Sequence, residues 1–96
     1  MSFFKKLLDW GFFGNTWCWF HQLGGAVGAR VGLVFFSPLE VLVGMFVLVM
    51  AWETIEVIYE GIDGLIKIYG SLERWFYDSL GDVLGAMIMV ILITGV

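Results

Sequence analysis

The residues best able to do chemistry in this sequence fall into three groups. Glu53 and Glu56 lie three apart and Glu60 follows four later, a spacing that puts all three carboxylates on one side of a helix. Asp78 and Asp82 lie four apart, with Gly85 extending the same stripe, and His21 is the one histidine. If the helices bearing them pack together, an imidazole and several carboxylates share one layer. Burial and like charge both oppose ionisation of every acid there, so some carboxylates stay protonated, or His21, Arg74 or a metal ion neutralises them. The chemistry this allows is a divalent cation held by the acidic cluster, a proton relay or a catalytic carboxylate pair. Glu56, Glu60 and Asp78 can instead reach water and form a solvated collar. Glu53 and Asp82 sit deeper against apolar sequence and need a partner.

Two further features have structural explanations. Arg30 and Glu40 flank a short connection, and an ion pair between them accounts for both without a catalytic role. Gly24, Gly28 and Gly32 recur every four residues beside Gly25 and Ala29, and Gly85 lies on the acidic stripe. Such small-residue stripes let helix backbones approach closely in lipid. Cys18, the one cysteine, rules out an intrachain disulfide and reads as a small packed side chain.

The elements that must position these groups are membrane helices. The chain has 96 residues, enough for a single domain, with 60% apolar and 15% charged residues against typical shares of about half and about a quarter. Mean hydropathy is +0.93. A membrane-crossing helix needs about 20 mainly apolar residues, and three windows supply them, at 17–36, 38–60 and 76–96. The reading is therefore an all-α integral membrane protein of three transmembrane helices. Ser37-Pro38 breaks the first two apart into a helical hairpin, because proline disfavours helical geometry before it and favours the first turn after it. Residues 61–75 read as a short interfacial helix and turn between the second and third spans. Residues 1–16 read as a retained, interfacial N-terminal segment, since Asp9 interrupts its apolar run and no convincing cleavage site follows.

Orientation follows the basic residues of short loops. Lys5 and Lys6 precede the first span, and Lys67 and Arg74 lie between the second and third. Three spans put both pairs on one side, so the N-terminus should be cytoplasmic and the C-terminus extracytoplasmic. The net charge of −4 argues against nucleic acid as a partner. The expected partners are the lipid bilayer and other membrane subunits or further copies of the chain.

The sequence has no H-E-x-x-H, G-x-S-x-G, P-loop or EF-hand pattern. What it has is an order of motifs: His21-x-x-x-Gly25, then Trp52-Glu53-x-x-Glu56, then Tyr77-Asp78-x-x-x-Asp82-x-x-Gly85-Ala86. This order, from Trp19 to Ile88, resembles the VanZ-like membrane proteins and more closely their YjdF-type relatives. The resemblance implies an intramembrane polar site and, for the founding member, a link to glycopeptide antibiotic resistance. Three functions are open at this point. The first is an accessory or structural subunit packing in a larger membrane assembly or homo-oligomer. The second is a VanZ-like protein using a carboxylate and histidine cation or proton site on a lipid-linked substrate. The third is a holin-like pore former.

Overall fold

The computed structural model describes residues 2–96, and all its elements are helical. Helix α1, Phe3–Lys6, is capped by the Ser2 hydroxyl and runs without a break into a π-helical segment, Leu7–Phe13. The wide turn closes with Gly14 N–H donating five residues back to the Asp9 carbonyl at 2.7 Å. Single-turn π segments are uncommon and tend to occur where a helix must re-aim its side chains. This one turns Leu7 and Gly11 inward and delivers the chain to Asn15. Outside it, Lys6 bonds Glu73 at 2.5 Å beside the Trp10 ring, and that bond raises the Lys6 pKa above its ordinary value.

Asn15 starts α2, Thr16–Phe35, by accepting the Cys18 N–H at 3.2 Å on its side-chain oxygen. Phe36 and Ser37 are extended, as expected for residues ahead of a proline, and α3, Pro38–Tyr69, begins directly. Its start is a capping box. Ser37 Oγ accepts from Glu40 N–H, and Glu40 Oε1 accepts from Ser37 N–H at 3.1 Å. This corrects the expected Arg30–Glu40 pair: Glu40 is engaged by its own helix terminus, Arg30 is exposed, and no ion pair joins them.

Inside α3, Gly61 has φ 71° and ψ 171°, a conformation open to glycine and strained for any residue with a Cβ. The helix therefore kinks there, and residues 62–69 form a second arm that buries Leu65 and brings the Tyr69 hydroxyl to Glu56 at 2.6 Å. Helix α4, Leu72–Thr94, is capped by Ser71 and ends at Gly95.

Helix α4 is the hub. It packs on α2, α3 and the π-helical segment more extensively than α2 packs on α3, so the hairpin is splayed. The core is small: Ala29, Val41 and Val90, with Leu33, Leu42, Met45 and Met87 around it. Helices α3 and α4 are each long and apolar enough to cross a membrane. Helix α2 does not meet the same measure, diluted as it is by four glycines, His21, Gln22 and Arg30.

Of the two expected stripes, the close approach in α2 falls on that of Gly25 and Ala29, not on that of Gly24, Gly28 and Gly32. A Cβ on Gly24 would meet nothing within 4 Å, and on Gly28 only the flexible end of Met45. Gly32 faces the Val41 side chain. The tight contact in α2 is at Gly25, where a Cβ would lie 2.5 Å from the Ala86 carbonyl oxygen. On α4, Gly85 admits Cys18 and Gln22, and Gly81 lies against the main chain of Gly11.

Candidate functional site

Three of the predicted polar residues converge. His21 from α2, Glu53 from α3 and Asp82 from α4 each offer a donor atom, and these atoms lie within 4.8 Å of one another. His21 Nδ1 is 3.8 Å from Asp82 Oδ1, and His21 Nε2 is 4.0 Å from Glu53 Oε1. The residues Glu53 and Asp82 are only 7% and 4% exposed. Each side chain has a reason for its place. His21 is in the second turn of α2, locked by a 2.7 Å hydrogen bond between Nδ1 and the Trp17 carbonyl. Asp82 lies next to Gly81, whose lack of a side chain draws the π-helical segment against α4.

The Trp17 carbonyl can only accept, so Nδ1 carries a proton and Nε2 is the ring nitrogen turned toward Glu53. Glu53 is less well served. Both of its carboxyl oxygens are buried without a well-formed hydrogen bond, and the Ser79 hydroxyl is the side-chain donor placed beside them. Asp82 is better held, since Oδ1 accepts from Asn15 Nδ2 at 2.8 Å. The same amide nitrogen reaches the carbonyls of Gly11 and Asp78, both at 3.2 Å. Asn15 thereby ties the π-helical segment, α2 and α4 together behind the site.

The other candidates stand apart. Glu56 is partly buried and bonded to Tyr69, and Asp78 contributes its main-chain carbonyl to Asn15. Neither joins the three-residue group. The sequence reading passed over Asn15, which is 3% exposed, because its partners are 63 and 67 residues away. It also passed over the contact of Gly11 with Gly81, while Cys18, expected as a small packed side chain, is fully buried with its thiol donating to the Gly81 carbonyl at 3.3 Å. The one local sign was the Asn15-Thr16 step ahead of an apolar run, a helix-start signal that hides the second use of the amide.

No family model, no curated protein and no solved structure matches this chain.

Proposed function

We propose that this chain is a small integral membrane protein that holds a divalent cation between His21, Glu53 and Asp82, within a bundle of three membrane-embedded helices. The observation that carries this reading is the 4.0 Å gap between His21 Nε2 and Glu53 Oε1. With its proton on Nδ1, the neutral imidazole would turn the Nε2 lone pair toward the buried Glu53 carboxylate. The gap is too long for an N–H···O bond, which spans about 2.7–3.2 Å. It lies within the span of two ligands on one ion, each about 2.0–2.2 Å away and so at most about 4.4 Å apart, at a wide angle across the ion. Two carboxylates balance a divalent charge, and Asn15 behind Asp82 is the kind of outer support that orients a ligating carboxylate. The site matches the polar motifs that resemble VanZ-like proteins, and it leaves coordination positions for a substrate oxygen.

Equilibrium binding of Mn²⁺ and Zn²⁺ to the detergent-solubilised protein tests this. One ion per chain is expected. Asn15→Ala should weaken binding by about 10–100-fold, as outer-sphere substitutions do, and His21→Gln or Glu53→Gln by more than that. Equal, small effects at all three positions would sink the reading.

In the same proposal the N-terminus and the 61–75 segment are cytoplasmic and the C-terminus is extracytoplasmic, following Lys5, Lys6, Lys67 and Arg74. With Cys18 replaced by alanine, an impermeant thiol reagent added outside should modify a cysteine appended after Val96 and spare Ser71→Cys. The opposite pattern would reverse the orientation.

A second reading, an accessory subunit or homo-oligomer, has an observation of its own. The splayed α2 and α3 leave an apolar trough of about 860 Å³, floored by Gly28, Gly32 and Gly44. Small residues along such a trough suit a partner helix. The two readings are compatible, since the trough lies beside Val41 and Met45, toward the hairpin, and the cation site at the opposite end of α2.

A further inference from the structure

The outer face of α2 carries one residue out of place. Phe20, Leu23, Val27, Arg30 and Val34 follow one another in alternating steps of three and four, so they form one stripe, and all of them are exposed. The stripe points away from α4, which takes the Gly25 and Ala29 side. Apolar side chains there suit lipid. The guanidinium among them does not, because a charge in a membrane helix ordinarily pairs or faces protein. Among the described residues Arg30 has no ion pair. A symmetric contact between two copies through this stripe would set Arg30 against Arg30, so the stripe needs a different surface with an acid at the same depth.

The trough between α2 and α3 is that surface. Glu40 lines it at the hairpin end, and no other acidic residue lies between Asp9 and Glu53 in the sequence. Arg30 is likewise the one lysine or arginine between Lys6 and Lys67. Within one chain the two do not meet, since Arg30 projects from the side of α2 opposite Gly28 and Gly32, which floor the trough. We infer that the trough receives the outer stripe of α2 from a second copy of this chain, head to tail, with Arg30 of one copy paired to Glu40 of the next. Charge complementarity selects that occupant, and depth agrees with it. Copies in one membrane share an orientation. At 1.5 Å per residue Arg30 lies about 7.5 Å below the end of α2 at Phe35 and Glu40 about 4.5 Å below Ser37, a difference that an arginine side chain spans. The same register sets Val27 beside Gly44 and Leu23 beside Leu48. A Cβ on Gly44 would meet nothing within 4 Å, so the floor is open to an approaching helix. The capping bond uses Oε1 of Glu40, and a carboxylate accepts at both oxygens. A contact that joins two different surfaces repeats around a ring or along a row. The inference deepens the homo-oligomer reading above and rests on it.

The test uses full-length chains with Cys18 replaced by alanine, co-expressed in pairs and oxidised with copper phenanthroline in the membranes that hold them. Val27→Cys on one chain and Gly44→Cys on a second, longer-tagged chain should form a mixed disulfide dimer. Val27→Cys paired with Leu92→Cys, on the exposed face of α4, should not. Arg30→Gln on the Val27→Cys chain should cut the mixed dimer at least about tenfold, and so should Glu40→Gln on the Gly44→Cys chain, which keeps a residue suited to the capping box. Arg30→Gln moved to the Gly44→Cys chain stays outside the linked contact and should cost far less, which separates a lost contact from a misfolded chain. Arg30→Glu on the first chain with Glu40→Lys on the second should restore the link. Val27→Cys linking to itself, equal linking to Leu92→Cys, or a yield indifferent to Arg30→Gln would each overturn the inference. Energy transfer between fluorescently tagged chains in the same membranes reports association by itself. Transfer without the Val27–Gly44 link removes this interface alone, and no transfer removes the homo-oligomer reading with it.

Discussion

Gly25→Leu is expected to prevent assembly of the helical bundle, and Gly24→Leu, one residue away, to leave it standing. A Cβ at Gly25 would come to 2.5 Å from the Ala86 carbonyl oxygen and 3.1 Å from its carbon atoms, and main chain inside α4 cannot swing aside as a side-chain end can. Over-packing a core ordinarily costs about 1–3 kcal/mol, and a clash with backbone at the tightest crossing should exceed that. At Gly24 a Cβ meets nothing within 4 Å, and replacing glycine in a helix interior is favourable by up to about 1 kcal/mol. Gly28→Leu, pressing only on the flexible end of Met45, should fall between them. Thermal unfolding in detergent, read by loss of the monodisperse peak in size exclusion, checks the order. Comparable losses at Gly24 and Gly25 would show that the α2–α4 crossing does not set the stability.

The glycine pattern also shows what the sequence could and could not convey. A four-residue repeat of small residues marks a helix face that can be approached closely. Which of two adjacent faces is used depends on the partner, and here α4 takes the Gly25 and Ala29 side while Gly28 and Gly32 border the splayed trough and a Cβ on Gly24 meets nothing. The convergence of His21, Glu53 and Asp82 was legible because helical spacing and depth along apolar runs are local properties. Asn15 was not, because its role depends on a π-helical turn and on Gly11 meeting Gly81, two single glycines with no repeat to announce them. Glu40 is taken from Arg30 by a local rule. Ser37-x-x-Glu40 is a capping box, and a terminus that needs its glutamate within one turn outcompetes an arginine across a hairpin. At Gly61 glycine licenses a conformation, and the contacts of Leu65 and Tyr69 decide that it is used.

Substitutions at Glu53 and Asp82 should change sign with the cation. Without it, the chain folds two nearly buried carboxylates and an imidazole into one space, with neither oxygen of Glu53 in a well-formed hydrogen bond. That arrangement is unfavourable, so Glu53→Gln should leave the cation-free protein as stable as before or stabilise it, and Asp82→Asn, which keeps an oxygen for Asn15, should do much the same. A cation present at 100 times its Kd stabilises the folded state by about 2.7 kcal/mol, and either substitution forfeits most of that. The double variant then has nothing further to lose. In saturating Mn²⁺ the double-mutant cycle should show strong sub-additivity, at the upper part of the roughly 0.5–3 kcal/mol range seen for residues sharing one interaction. In chelator the coupling should shrink and the single variants should gain. Unfolding curves for the four proteins under both conditions provide the measurement. Small and additive losses in both would mean that the two carboxylates act independently, as a solvated collar does. Equal sub-additivity with and without the ion would point instead to a hydrogen-bonded polar cluster that holds the helices together and needs no metal.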